Sequence, residues 1–229
     1  MHVIDLTIPV HDGDGRLGLQ VAFSQPYSFE EHGWAGASVS MFCHQATHVD
    51  APNHFIEGAD GIDQAPLTKL VGPAAVIELG DHGDMAAITG DTLEDRGRHV
   101  ERGDIAILRT GWTDACWGED HFWRDGPFLH GDGADWLVER GVKAIVYDFS
   151  EELIVRQPGG FRGEDCEVHH KILGKDIYNI EYVHNLAAIS APRCTIVALP
   201  IKLVGLDGAP ARVLAIEGVD LPRDFTVAG

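Results

Sequence analysis

Four side chains that can bind a metal ion or move a proton fall within eleven consecutive positions, namely His44, His48, Asp50 and His54. Imidazole nitrogens and carboxylate oxygens, without thiolates, are donors that suit zinc, manganese and iron. Buried without partners, these groups would cost free energy of folding, whereas a divalent cation satisfies them together. The cluster therefore predicts a metal site.

The spacing of the four side chains indicates how the backbone must run. All stand at even-numbered positions, so an extended segment projects them to one side, and the β-branched residues and proline among them disfavour a helix. In a straight strand, however, His44 and His48 would lie roughly 13 Å apart, too far to share an ion through bonds of about 2 Å. We therefore expect the backbone to bend at Gln45–Ala46.

The remaining elements must supply a core and a sheet to position this cluster. The chain has 229 residues, 45% apolar and 23% charged, without repeats or linkers, so we expect one globular domain over residues 1–229. The predicted strands are 4–10, 38–42, 74–79, 105–109, 142–149, 177–180, 195–203 and 213–217, and helical segments begin at Gly90, cover 133–140 and include 169–173. Strands outnumber helices, which indicates a mixed α/β fold, with a mixed sheet or partial barrel and outer helices.

Charge and cysteine content limit the partners and the compartment. Lys and Arg number 17 against 36 Asp and Glu, and the net charge of −19 argues against nucleic acid and anionic membranes as partners and favours cations. Neither a signal peptide nor a membrane span is predicted. The four cysteines are scattered, so we interpret them as reduced thiols of a cytoplasmic protein, with Cys43 in the core.

The spacing H-x-x-x-H-x-D-x-P-x-H over 44–54 resembles the signature of the metal-dependent cyclase family of hydrolases, which includes bacterial kynurenine formamidases and isatin hydrolases. Other segments resemble the family along the chain: D-L-T at 5–7, R-T-G-W at 109–112, a histidine twelve residues before a glutamate within 169–181, and D-G-A-P-A-R at 207–212. The resemblance implies a swivelling β/β/α-type domain. Ala46 departs from the family pattern, which usually has glycine there, so we expect either a negative φ or modest strain at the bend.

The resemblance also implies which residues hold the metal. It implies two ions per subunit, zinc or manganese, with His44, His48 and Asp50 binding the first. Asp50 and Glu181 would bridge the two ions, and His169 would complete the ligands of the second.

One histidine would be left for proton transfer. By the resemblance, His54 stays off the ions and acts as catalytic acid and base. His170 remains the rival of His169 for the ligand position. The implied reaction is hydrolysis of an aryl formamide or cyclic amide by metal-activated water. Lactone hydrolysis, dehydration or ring closure at the same site, and a metal-binding protein without turnover, stay open as alternatives.

Further expectations concern the substrate and the assembly. We expect a small-molecule substrate and, from the resemblance, a homodimer or homotetramer. A pocket for an aryl substrate needs aromatic walls, and the candidates for these are Phe23, Tyr27, Trp34, Phe55 and Trp112. Each of these residues could equally be an ordinary aromatic residue of the core. Ser190 resembles a family position that holds water or substrate, and Asp207 with Arg212 is expected to form a structural ion pair.

Overall fold

The computed structural model of the chain describes residues 1–16, 18–80, 84–157 and 160–227. The strands are β1 (His2–Asp5), β2 (Gly15–Arg16), β3 (Leu19–Gln20), β4 (Ala22–Tyr27), β5 (Gly36–Ser40), β6 (His48–Asp50), β7 (Val71–Glu78), β8 (Ala87–Ile88), β9 (Ile105–Arg109), β10 (Phe128–Leu129), β11 (Ala144–Tyr147), β12 (Tyr178–Glu181), β13 (Arg193–Pro200) and β14 (Gly208–Glu217). The helices are α1 (Phe29–His32), α2 (Leu67–Leu70), α3 (Gly90–Arg96), α4 (Trp112–Cys116), α5 (Asp120–Asp125), α6 (Gly131–Arg140) and α7 (Glu167–Leu173).

The main sheet closes on itself. Its strands follow the order β14-β13-β7-β9-β11-β12-β6, and β6 pairs in turn with β14, so that seven strands form a barrel, with β1 added along β14. Strands β7, β9, β11 and β12 are parallel to their neighbours in that run, whereas β13, β14 and β6 pair antiparallel. The predicted mixed α/β fold with a mixed sheet or partial barrel is therefore confirmed.

Alternating residues of each strand face the barrel interior or the outer layer. Ile105 and Ile107 belong to the interior cluster, whereas Ala106 and Leu108 belong to a second cluster that includes Leu93 of α3 and Leu137 of α6. This division is expected for strands buried on both faces, because side chains alternate along a strand.

The same alternation positions the polar groups of β6 and β12. Val49 and Ile180 point into the barrel, as members of the interior cluster. Their neighbours His48, Asp50 and Glu181 must therefore point outward, toward the layer that contains α7. The registers Glu181 opposite His48 and Ile180 opposite Val49 bring these outward groups side by side.

Helix α6 was predicted to begin at Gly133, but it begins two residues earlier, where His130 caps its first turn. It ends as expected before Gly141, which has a φ of 69°. Its ten residues compare with about 20 for a membrane-spanning helix. Within the described ranges, no helix is long and apolar enough to cross a bilayer.

Candidate metal centre

The chain bends sharply between the first two histidines. Ala46 has a φ of 53°, in the left-handed region, so the bend lies where the ligand spacing predicts it and carries the strain expected of a residue other than glycine. Thr47 anchors the bend, because its Oγ1 donates to the Tyr182 carbonyl at 2.6 Å and accepts from the Ile8 amide at 2.9 Å. The segment 44–54 is thus not one extended strand. It is a turn, then strand β6, then a 3-10 turn over Pro52–His54.

The bend brings the first three predicted ligands together. The Nδ1 atom of His44 lies 2.7 Å from Oδ1 of Asp50, and Nε2 of His48 lies 3.1 Å from the same oxygen. All three side chains are buried, and their donor atoms lie within 4.8 Å of one another. They can therefore hold one ion in common.

A second group of donors surrounds Nε2 of His169 on helix α7. This nitrogen lies 3.6 Å from Oδ2 of Asp50, 3.4 Å from Oε1 of Glu181 and 3.2 Å from Oε1 of Glu151. The other oxygen of Glu181, Oε2, faces Nε2 of His48 at 3.7 Å. Asp50 and Glu181 thus each present one oxygen to either group, which is the placement that a bridging carboxylate requires.

The structure distinguishes His169 from its neighbour His170. His169 is buried among the carboxylates, whereas His170 is half-buried and its Nε2 lies 3.1 Å from the Gly163 carbonyl, away from this cluster. The helix turns successive side chains by about 100°, so only one of two adjacent histidines can face the barrel. His169 is the one brought to the other donors.

Each of these histidines is oriented by a hydrogen bond from its outer ring nitrogen. His48 Nδ1 lies 2.8 Å from the Ala46 carbonyl, and His169 Nδ1 lies 3.0 Å from Oε1 of Glu152. His44 Nε2 lies 3.0 Å from Oδ2 of Asp207. With these outer nitrogens protonated, the inner nitrogens present lone pairs to the carboxylate cluster, as metal-binding histidines do.

Several polar atoms of the cluster are buried without partners. Among the described residues, His48 Nε2, Asp50 Oδ2, Glu151 Oε2 and Glu181 Oε1 are inaccessible to solvent and make no hydrogen bond. Burying such groups unpaired is costly, and they converge from separate elements. The residues present therefore fit a divalent metal centre.

The electrostatics of the cluster point the same way. Although burial opposes the charged form of His44, the carboxylates of Asp50 and Asp207 raise the pKa of its imidazole to about 9. Burial likewise opposes charge on His169, but Glu151 and the other carboxylates around it raise its pKa well above the ordinary value. Without metal, protons on these rings balance the acidic groups, so a cation would bind in competition with them.

His54 lies at the edge of the cluster and is held by Asp207. Its ring stacks on that of His44 with centroids 3.9 Å apart, and its Nδ1 lies 3.1 Å from Oδ2 of Asp207, the oxygen that also faces His44. These two hydrogen bonds lower the pKa of Asp207 well below its usual range. The expected ion pair between Asp207 and Arg212 is therefore wrong, because Arg212 pairs with Asp5, with Nε and Oδ1 2.9 Å apart.

Comparison with known proteins places this site in a family. The family model described as putative cyclase matches residues 4–151, more than half of the chain. The chain belongs to the cyclase family. The predicted resemblance to this family is thereby confirmed.

Relatives of this cyclase-family chain cover most of its length. A cyclase-like protein 1 from Arabidopsis thaliana is 28% identical over 216 residues, which cover 90% of this chain and 78% of that protein. A kynurenine formamidase from Bordetella petrii is 30% identical over 184 residues, covering 79% and 80% of the two chains. Among solved structures, isatin hydrolase A from Labrenzia aggregata bound to benzyl benzoate has a TM-score of 0.80 at 21% identity, covering 93% of each chain. A potential metal-dependent hydrolase with cyclase activity has a TM-score of 0.70 at 25% identity, covering 93% of this chain and 96% of that one.

The cavity beside the candidate metal centre of this cyclase-family chain has an apolar wall. Phe55, one of the predicted substrate contacts, lines it together with Phe42, Val155 and Phe161. The ring of Phe55 also lies against His169, with centroids 4.3 Å apart. An aromatic group could therefore be held next to the donor atoms.

The other predicted substrate contacts lie elsewhere in the chain. Phe23, Tyr27 and Trp34 are exposed on the hairpin formed by β4 and β5. Trp112 packs between two core clusters and donates from Nε1 to the Phe122 carbonyl at 3.1 Å. Ser190 donates from Oγ to Oε1 of Glu217 at 3.0 Å. Within this chain, these four aromatic residues and Ser190 are outside the group that the structure places around the cavity.

Three carboxylates of the candidate centre, those of Glu151, Glu152 and Asp207, were not predicted from the sequence. Glu151 and Glu152 follow the buried strand β11, and Asp207 precedes β14. Two adjacent acidic residues just beyond an apolar strand were the available signal, because ligand sites form at the carboxyl ends of parallel strands. Cys43, expected in the core, is half-buried in the turn before β6.

Proposed function

We propose that this cyclase-family chain is a hydrolase that cleaves an aryl formamide or a cyclic amide and depends on two zinc or manganese ions. The observation that carries the proposal is the convergence of buried, unpartnered donors on two adjacent points that share Asp50 and Glu181. In addition, relatives that cover most of the chain are kynurenine formamidases. The apolar cavity wall beside the donors fits an aryl group.

In this proposal His44, His48 and Asp50 hold the first ion, and His169 with the shared carboxylates Asp50 and Glu181 holds the second. A bound divalent ion would acidify a water molecule and polarise a carbonyl group. Bonds of about 2 Å from each ligand require only small movements, because the donor atoms already lie close together.

His54 and its partner supply the proton transfer. Because Asp207 accepts from Nδ1 of His54, Nε2 is the nitrogen available to accept a proton from water and to return it to the leaving nitrogen. Asp207 also fixes the ring against His44, so that the base does not have to be ordered during the reaction. Phe55 and Phe161 would hold an aryl ring beside this histidine and exclude water.

The proposal is tested by hydrolysis of N-formylkynurenine and of isatin, each with chelator-treated protein and after addition of Zn²⁺ or Mn²⁺. We expect turnover that disappears on chelation and returns with metal. His54→Ala should keep its metal and lose about 100-fold or more in kcat. His170→Ala, a change of the neighbouring half-buried histidine, should behave as the wild type. The absence of metal-dependent turnover of either substrate would contradict the proposed function.

The same assays separate the alternatives. Metal-dependent turnover of lactones, or dehydration or ring closure without amide hydrolysis, would assign the site to another reaction. Metal binding without any turnover would indicate a storage or structural site. The paired His54 and Asp207 argue against the last possibility, because a non-catalytic site has no use for an oriented histidine next to the ligands. If His54→Ala lost its metal, His54 would be a ligand, which its position within 4.8 Å of Asp50 and His169 donors permits.

We further propose that the chain forms a homodimer or homotetramer through the β4–β5 hairpin (residues 22–40). Within the described ranges β4 and β5 pair only with each other, and Phe23, Trp34 and Val39 are 47%, 51% and 57% exposed. Such a hairpin is marginally stable alone, and an apolar surface of this kind favours association. In the assembly, Phe23, Tyr27 and Trp34 would contact the substrate, as predicted, in the cavity of a partner chain.

Light scattering coupled to size exclusion tests the assembly. We expect a mass of at least about twice the 24.9 kDa of the chain, and a shift to the monomer mass in the double variant Phe23→Ser/Trp34→Ser. Ile201→Ser, at an apolar residue outside the hairpin that is 58% exposed, should leave the mass unchanged. A monomeric wild-type protein would contradict the proposal.

A further inference from the structure

Glu151 lies among the donors of the candidate metal centre, although neither the motif nor the family resemblance gives it a role. It lies four residues beyond β11, and its carbonyl oxygen accepts from the Leu129 amide at 2.9 Å. Its side chain is 1% exposed and lines the cavity. Its Oε2 makes no hydrogen bond with any of the residues that the structure describes.

The distances around His169 are those of ligands rather than of a hydrogen-bonded pair. Nε2 of His169 faces three carboxylate oxygens at 3.2, 3.4 and 3.6 Å, from Glu151, Glu181 and Asp50 respectively. One N–H group can donate one good hydrogen bond, which leaves the other two oxygens unexplained. Donor atoms about 2.1 Å from one ion lie about 3.0 Å apart at octahedral angles and about 3.4 Å apart at tetrahedral angles, and the three separations lie close to this range.

Glu151 is not needed to orient His169, because its neighbour does so. Oε1 of Glu152 accepts from the main-chain amide of His169 at 2.8 Å and lies 3.0 Å from its Nδ1. The nearby guanidinium of Arg156 donates to the carbonyl oxygens of Glu152, Ser150 and Pro127. The carboxylate of Glu151 is thus left facing Glu181 and His169.

The charge of the centre also favours a second cation. Asp50, Glu151, Glu152 and Glu181 are each at most 3% exposed. A single divalent ion leaves an excess of carboxylate charge in this buried space, and a second ion removes it. A position with one imidazole and three carboxylates suits Mn²⁺ better than the first position, which has two imidazoles.

We propose that Glu151 is a third carboxylate ligand of the second cation, alongside Glu181 and Asp50, and that it tunes this position toward Mn²⁺. The inference rests on the proposed two-metal function and adds a ligand to it. We therefore expect the occupancy of the second position to depend on the charge of Glu151, whereas the occupancy of the first position does not.

The test is titration of Mn²⁺ into the metal-free full chain, followed by calorimetry, elemental analysis and electron paramagnetic resonance. We expect two ions per chain in the wild type, with the spectrum of two exchange-coupled ions. Glu151→Gln, which keeps the shape of the side chain, should bind one ion as tightly as before and the second at least about tenfold more weakly. Its spectrum at one equivalent should be that of a single Mn²⁺. Glu167→Gln, at an exposed carboxylate on the same helix as His169, should match the wild type.

The outcomes separate the two proposals. If Glu151→Gln binds two ions with wild-type affinities, Glu151 is not a ligand, while the proposed function stands on the metal dependence of turnover. If the wild type binds one ion and the variant binds it equally well, Glu151 is not a ligand and the two-ion part of the proposed function fails as well, while metal-dependent hydrolysis is judged by the turnover assay. If the wild type binds no metal, both proposals fail. Where Glu151→Gln does not fold, as judged by circular dichroism, Glu151→Ser serves instead. It removes the carboxylate with a smaller side chain, and wild-type affinity for the second ion in that variant would overturn the inference.

Discussion

Replacing Asp207 with asparagine removes one negative charge from two stacked histidines and preserves the shape of the side chain. At present Oδ2 of Asp207 lies 3.0 Å from His44 Nε2 and 3.1 Å from His54 Nδ1. A hydrogen bond to a charged group contributes about 1.5–3 kcal/mol, and the lower end applies because the Asp207 side chain is 42% exposed and screened by solvent. A loss of about 1.5 kcal/mol in the positioning of His54 corresponds to roughly a tenfold fall in kcat.

The same substitution acts on the metal through His44. Removing the outer partner of a metal-binding histidine typically weakens metal affinity about 10- to 100-fold. Steady-state kinetics at saturating metal separates the two effects, because the loss in kcat remains there whereas the loss in affinity does not. Asp63→Asn is the matched control, since its Oδ1 accepts from the Gly205 amide at 2.8 Å in the same loop and contacts neither histidine. A kcat at saturating metal equal to that of the wild type would refute the positioning of His54 by Asp207.

Four further predictions concern the stability of the fold and the protonation of the site. Ala46→Val should lower the free energy of unfolding by about 2 kcal/mol because a β-branched residue resists a φ of 53°, whereas Ala46→Gly should change it by less than about 1 kcal/mol. Urea denaturation measures both values. A valine variant as stable as the wild type would contradict the inference that the backbone is strained at Ala46. Asp148→Ala should lower the free energy of unfolding by about 2–4 kcal/mol in the same assay, because the buried carboxylate accepts hydrogen bonds from the amides of Thr110 at 3.0 Å and Gly111 at 2.6 Å. An unchanged unfolding midpoint would contradict this structural role of Asp148. Because the pKa of His44 is raised to about 9, metal binding at pH 7 releases the proton of this ring, and the apparent affinity for the metal ion should rise about tenfold from pH 7 to 8. Calorimetry in two buffers of different ionisation enthalpy should detect the released proton. In the metal-free chain this same shift stabilises the fold below the unfolded value of about 6.5, and the contribution is lost as pH rises through about 9, so the melting temperature should fall over that interval; a flat profile would contradict the assignment.

The cluster of candidate ligands from His44 to His54 could be predicted because the pattern that indicates it lies within one short segment. The spacing from His44 to His54 fixes the donor types, and the reach of a strand fixes where the chain must bend. The continuous apolar runs at 74–79 and 105–109 likewise predict buried strands. These inferences use only neighbours in the sequence.

The remaining contacts depend on how the barrel closes. Glu151 meets His169 because β11 lies beside β12 and helix α7 contacts β12, which no local pattern encodes. Arg212 and Asp207 are close in sequence, but they stand at different places along the β14 edge. The register of β14 carries Arg212 toward β1 and Asp5, whereas Gly208, next to Asp207, pairs with Asp50 on β6.

The most direct test of the account is the anomalous diffraction of crystals of the chain loaded with Mn²⁺. We predict two anomalous peaks. One should lie within bonding distance of His44, His48 and Asp50, and the other within bonding distance of His169, with Glu181 and Asp50 as ligands common to both ions. A fully loaded crystal with no peak within about 2.5 Å of these donor atoms would contradict it.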